Sequence, residues 1–200
     1  MFNLIRRDAI IQKRQLLLFI PIIVFFIVMN SHPVLIFLVA SIFIPFNAYA
    51  YDEKAETNIL LNSLPYTRKE IIGSRYISAI VYMVLSIGLV SFGLFVFDKP
   101  FTMTDLAFGS GLFLSFVALT FPLFYIFRGN ISMIVMMIFI FSAFVGPLTV
   151  KFLAEHLPVI TDFIASLSTP ALYTSIGAVI VILYAASWSV TMIIYQRKAF

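Results

Sequence analysis

Six long stretches of this chain carry no Asp, Glu, Lys or Arg: Leu16–Met29, Val34–Tyr51, Tyr76–Phe97, Leu106–Phe127, Ile131–Val150 and Ala171–Tyr195. A helix that crosses a bilayer needs about 20 predominantly apolar residues. Inside hydrocarbon the backbone finds no water, so it must satisfy its own hydrogen bonds, which a helix does within one segment. The runs therefore predict an all-α, polytopic membrane protein with six transmembrane helices. The first run is short, and its helix is expected to begin inside the basic segment before it. Composition excludes the soluble alternative. Hydrophobic residues make up 62% of the chain and charged residues 11%, against roughly 45–50% and about 25% in soluble domains. The mean hydropathy is +1.07. A soluble domain of this size could not hide so much apolar surface, and would lack the charge to cover its outside.

Orientation follows from Lys and Arg, which collect in cytoplasmic loops. With the N-terminus inside, the cytoplasmic side holds Arg6, Arg7, Lys13, Arg14, Lys54, Arg68, Lys69, Arg75, Arg128, Arg197 and Lys198, which is 11 of the 13 basic residues. Only Lys99 and Lys151 lie outside. Acidic residues are nearly balanced, as expected of residues that contribute little to the rule. The expected topology is N-in and C-in. The net charge of +4 is thus a membrane-orientation signal and not a nucleic-acid one. Tyr49, Tyr51, Tyr76, Tyr125, Trp188 and Tyr195 fall near the cytoplasmic ends of the spans, where they serve either as interface anchors or as packed aromatics. The first apolar run is followed by Asn30-Ser31-His32-Pro33, without a small-residue cleavage pattern, so the N-terminus reads as retained.

Residues 1–15 predict an interfacial helix. At 100° per residue Arg6, Arg7, Lys13 and Arg14 share one arc, while Phe2, Leu4, Ile5, Ala9 and Ile11 fill the rest. The basic arc would meet anionic headgroups as the apolar arc sinks into the interface. The alternative is a plain basic flank. Pro21, Pro45, Pro122 and Pro147 sit inside spans and are candidates for kinks. Ala185 and Ser189, four residues apart, suit a close helix contact.

The longest cytoplasmic connection, residues 52–75, reads DEKAETNILLNSLPYTRKEIIGSR. Residues 53–61 suit a short helix, and Pro65 breaks the chain. Thr67-Arg68-Lys69-Glu70 has the pattern of a capping box, with Tyr66 and Ile71 at the two positions of a hydrophobic staple. A new helix is expected to start there and run into the third span. The apolar Leu60, Leu61 and Leu64 on a loop helix suggest docking onto a partner.

The run LLNSLPYTRKEIIGSRY, preceded by an acidic start, resembles the first cytoplasmic loop of bacterial ABC-2 type permeases. The six-span layout and the basic, amphipathic N-terminus are similar more loosely. Among subfamilies, the small size and the Ile- and Phe-rich spans look most similar to permeases of staphylococcal phenol-soluble modulin exporters and related antimicrobial-peptide exporters. The resemblance implies a half-transporter that pairs with a second permease copy or paralogue. It implies a separate cytoplasmic ATPase subunit, which holds the ATP and Mg2+, docked on a coupling helix. By position that helix involves Glu53, Glu56, Ile59, Leu60, Leu61, Asn62 and Leu64. It also implies an interfacial elbow helix at residues 1–15 and short outer helices within residues 151–169. The whole of residues 1–200 would form one permease domain in the plasma membrane of a Gram-positive bacterium.

The chemistry missing from the sequence points the same way. No GxxxxGK[ST] phosphate loop, HExxH or GxSxG occurs, so the chain lacks the motifs for ATP binding, metalloprotease or hydrolase chemistry. With no cysteine, disulfides, iron–sulfur clusters and thiolate metal sites are excluded. His32 and His156 fall in unrelated outer segments, and no metal site is expected. Proton-coupled carriers commonly place Asp, Glu or His at membrane depth. Here the spans offer only groups such as Asn47, Ser86, Ser91, Thr120, Ser142 and Thr191. Energy is therefore expected from a partner motor. The function read from the sequence is the membrane subunit of an ATP-driven exporter of amphipathic peptides. A membrane immunity or assembly factor, and less so an intramembrane enzyme, are the alternatives.

Overall fold

The computed structural model describes residues 19–54, 66–127, 131–157, 162 and 166–197. Those residues form six helices of ten residues or more: α1 (Phe19–Val28), α2 (Pro33–Lys54), α3 (Arg68–Val96), α4 (Met103–Ile126), α5 (Ile131–His156) and α6 (Thr169–Arg197). By length and composition α3, α4 and α6 are able to cross a membrane. α1 and α2 carry the shorter apolar helical stretches Phe19–Val28 and Pro33–Asn47.

α2, α4 and α6 run in one direction, and α3 runs against them. At one end of the bundle the Tyr49 ring on α2 meets Tyr125 near the end of α4, and Tyr125 meets Tyr195 near the end of α6. At the other end Phe37 of α2 meets Phe101 before α4, and Phe108 of α4 meets Tyr173 of α6. Two apolar clusters fill the interior. One joins α2, α3, α4 and α6 around Tyr76, Phe113, Val117, Phe121 and Tyr195. The second seats α1 on α2 and α3 through Phe19, Ile23, Ile27, Phe37, Val90 and Leu94. α5 lies at the margin, with Met133, Met136, Phe141 and Phe144 exposed.

The helix ends are built locally. α1 and α3 close in the same way, with Asn30 and Asp98 in the left-handed region (φ 56° and 52°). At α1 the Ser31 N–H donates to Phe26 O and the Asn30 N–H to Ile27 O. At α3 the Lys99 N–H donates to Leu94 O and the Asp98 N–H to Phe95 O. These paired bonds are the Schellman motif, filled here by Asn and Asp, the residues after glycine that best tolerate positive φ. The Lys99 ammonium donates to Asn30 Oδ1 at 2.9 Å and ties the two caps together. α4 starts on a second capping box: the Thr102 N–H and hydroxyl donate to Asp105 Oδ2, and the Asp105 N–H donates back to Thr102 Oγ1.

Several boundaries differ from the sequence reading. α2 continues through Asp52 and Glu53 to Lys54, so the start of the loop expected on the cytoplasmic side is the end of that helix. α5 continues past Val150 to His156, so the outer segment expected from residue 151 begins as helix. Lys151 and Glu155, 3.8 Å apart at i and i+4, suit a helix that leaves the apolar layer without ending. The interfacial helix expected at residues 1–15 lies outside the described residues, as do residues 158–161 and 163–165 of the outer segment. Pro45, Pro122 and Pro147 all lie inside continuous helices.

The α2–α4 seam is close because Gly109 has no side chain. A Cβ there would lie 2.7 Å from Phe37 Cβ and 3.4 Å from Val34 O. Both are backbone or near-backbone atoms that cannot swing away. Gly109→Ala should therefore destabilise the bundle by about 1–3 kcal/mol, the usual cost of overpacking. Gly88→Ala, with nothing within 4 Å, should not. Thermal unfolding of the two variants in detergent checks this, and equal midpoints would contradict the seam.

Candidate functional site

The first two turns of α3 lie between the α2–α3 connection and the bundle core, and five interactions converge there. Thr67 is the N-cap. Its hydroxyl accepts the Glu70 N–H at 3.2 Å, while its own N–H and hydroxyl each donate to Glu70 Oε2 at 2.9 Å. Ile71 is buried, and Tyr66 packs partly buried against the same apolar cluster. The Arg68 guanidinium Nη1 donates to Gln196 O at 2.6 Å, so the start of α3 holds a carbonyl in the last turn of α6. A cation suits that position, because carbonyls at a helix C-terminus lack partners and carry partial negative charge.

Arg75 is buried, with 6% of its surface exposed. Its Cζ stands 4.5 Å from the centroid of the Tyr49 ring on α2. A desolvated guanidinium over an aromatic face is held more firmly than one in water. The space around it is filled: the void that Pro45, Tyr49, Arg75, Ser78 and Tyr82 share is about 10 Å3, at the lower limit for one water. The sequence counted Arg75 among the cytoplasmic basic residues, in the helix expected to start at Thr67; it lies in α3, where its side chain packs inside the bundle.

One residue further, Tyr76 ties α3 to α6. Its hydroxyl lies 2.8 Å from Ser187 Oγ and 2.7 Å from Thr191 Oγ1. Ser187 Oγ donates to Ala118 O of α4 at 2.6 Å, and the Tyr184 hydroxyl donates to Tyr76 O at 2.8 Å. The Tyr76 ring stacks on Trp188 at 5.7 Å and meets Phe121 edge-on. Tyr76 and Tyr195 are fully buried, and Tyr49 and Tyr125 nearly so. Of the two readings of these aromatics, packed core residues hold for these four. Asn47 and Thr120 bond carbonyls of their own helices, whereas Ser86 donates across to Ala40 O at 3.2 Å.

The other residues singled out from the sequence are placed as follows. Glu53 lies in the last turn of α2. Glu56, Ile59, Leu60, Leu61, Asn62 and Leu64 lie outside the described residues, as do Arg6, Arg7, Lys13 and Arg14. Ala185 and Ser189 are exposed, and the Ser189 hydroxyl donates to Ala185 O within α6. His32 sits at the start of α2 and His156 ends α5. Among the described residues, no group of three or more His, Asp or Glu is placed to hold a metal ion. Sequence reasoning missed Tyr76, Ser187 and Thr191 as a unit, because their contact spans more than a hundred residues. It also passed over the second capping box, although Thr102-Met103-Thr104-Asp105 carries its pattern.

The chain matches the family described as ABC-2 family transporter protein over residues 3–196. It belongs to that family. The chain is thus a multi-pass membrane permease of an ABC transporter, a transport subunit and not itself a catalyst. No curated protein and no solved structure matches this ABC-2 permease.

The capping box makes the start of α3 pH-dependent. The Thr67 N–H, and then its hydroxyl, hold the Glu70 carboxyl below the usual carboxylate range. A lowered folded value means the contribution is complete at pH above the ordinary value and fades as pH falls through the folded one. At neutral pH Thr67→Ala should cost about 0.5–2 kcal/mol. That gap should shrink below the ordinary carboxylate range, as read by unfolding in detergent at several pH values. A gap unchanged by acid would contradict the assignment.

Proposed function

We propose that this ABC-2 permease is the membrane subunit of an ATP-driven exporter for amphipathic peptides, of the phenol-soluble modulin or antimicrobial-peptide type. Residues 1–200 form one transmembrane domain with six spans and both termini inside, in the plasma membrane of a Gram-positive bacterium. The permease works as a dimer, with a second copy or a paralogue. A separate ABC ATPase supplies ATP and Mg2+ chemistry and docks on the coupling segment through Glu53, Glu56, Ile59, Leu60, Leu61, Asn62 and Leu64. Family membership supports the ATPase partner. The tight ties of α3 to α2 and α6 support a role for its first turns in passing movement of that segment into the bundle.

The observation that carries the substrate reading is the absence of Asp, Glu, Lys and Arg from the six apolar runs. A path walled by Phe, Ile, Leu, Val, Met and scattered hydroxyls cannot replace the hydration shell of an ion or a sugar. A helical peptide with a broad apolar face loses far less on entry, and it already partitions to the membrane interface. Cells lacking the permease should accumulate such a peptide and become sensitive to it when it is added. A deletion that alters only the traffic of a small hydrophilic solute would overturn the substrate class.

A further inference from the structure

At the end of the bundle opposite the coupling segment, the N-terminal halves of α4 and α6, which meet at Phe108 and Tyr173, border an open cleft of about 880 Å3. One wall runs from Met103 to Ser115 and the other from Tyr173 to Leu183. No Asp, Glu, Lys or Arg lines it. Its serines are already engaged: Ser110 donates to Ala107 O, Ser115 to Gly111 O and Ser175 to Ala171 O. An occupant that needs a hydrogen-bond donor finds no free serine proton here, whereas hydrocarbon needs none.

The shape selects among apolar occupants. At 1.5 Å per residue the walls run for about 15–18 Å along the helix axes. That is close to the depth of one leaflet's hydrocarbon, about half of the ~30 Å core. The cleft therefore stands upright in the membrane. An interfacial peptide lies in the plane and sinks only about 5–10 Å, so it would cross the cleft and not fill it. An acyl chain stands parallel to the helices and matches it in both length and chemistry. Gly177 borders the open space of the cleft, since a Cβ there would meet nothing within 4 Å.

We infer that the α4–α6 cleft is a binding site for the acyl chains of a phospholipid in the leaflet opposite the coupling segment. That leaflet is the outer one in the proposed orientation, and the site does not depend on the transport reading. The test uses the full chain reconstituted in phosphatidylglycerol vesicles containing a small share of phosphatidylglycerol with a photoreactive diazirine in one acyl chain. After extraction into mild detergent and washing to remove loosely bound lipid, irradiation and peptide mapping locate the retained lipid. Crosslinks should fall on cleft residues such as Leu112, Ile176 and Ile180. Gly177→Leu and Gly177→Phe should abolish them, because the added side chain fills the cleft. Gly88→Phe, at an equally open glycine on the exposed face of α3, should leave them unchanged. If a Gly177 variant fails to fold, the map on the unaltered chain decides alone. Crosslinks spread equally over the exposed α5 residues Met137 and Phe144, or kept in a folded Gly177→Phe, would overturn the site. So would an added amphipathic peptide that displaces the lipid and is itself captured in the cleft.

Discussion

Replacing Leu60 and Leu61 together with aspartate should abolish association with the ATPase subunit and, with it, export, while leaving membrane insertion intact. In the proposed coupling segment these two leucines would be laid into a groove on the partner. Burying two carboxylates there without partners would cost several kcal/mol, enough to dissociate an ordinary complex. Co-purification measures the first effect and peptide export the second. The native chain has no cysteine, so a single Cys at position 62 reports insertion: it should label from the cytoplasmic side in both forms. Normal export by the double variant would remove the coupling role from this segment.

Tyr76 is where a substitution should damage the bundle most. Tyr76→Ala removes a buried ring that touches Phe121, Tyr184 and Trp188, and large aromatics cut to alanine in cores cost about 3–5 kcal/mol. Tyr76→Phe keeps the ring and loses only its bonds to Ser187 and Thr191. Ser187 still has the Ala118 carbonyl, and interhelical hydrogen bonds in membranes average about 0.6 kcal/mol, with a maximum near 1.7. The alanine variant should therefore unfold far more readily in detergent than the phenylalanine variant. Emission from Trp188, the chain's one tryptophan, should shift to the red only in the former. Equal losses in both would mean that the hydroxyl bonds, and not the ring packing, hold α3 to α6.

The architecture was legible wherever a rule is local. Charge-free runs located α4, α6 and the end of α3 to within three residues, because hydrocarbon leaves the backbone few options. Thr67 and Glu70 gave the start of α3, since the capping box is written in four consecutive residues. The boundaries failed where charge was taken as the end of a helix. α5 passes through Lys151 and α2 through Glu53, because a helix need not stop where the apolar layer does. Arg75 was counted by its charge among the cytoplasmic basic residues, yet the Tyr49 face allows its guanidinium to sit inside the bundle. The Tyr76, Ser187 and Thr191 contact was invisible because nothing in spacing tells which distant hydroxyls will meet. The left-handed caps at Asn30 and Asp98 were missed because Asn and Asp, unlike glycine, give only a weak signal for positive φ.

The proposed transport of amphipathic peptides by this ABC-2 permease draws on a separate motor. Its most direct test is ATP hydrolysis by the permease co-purified with its ABC ATPase and reconstituted in lipid vesicles, measured with and without an amphipathic helical peptide. Hydrolysis stimulated by the peptide, and lost with the Leu60 and Leu61 double substitution, is the predicted result. An ATPase that fails to associate with the chain, or one whose hydrolysis ignores the peptide while responding to a small hydrophilic solute, would contradict it.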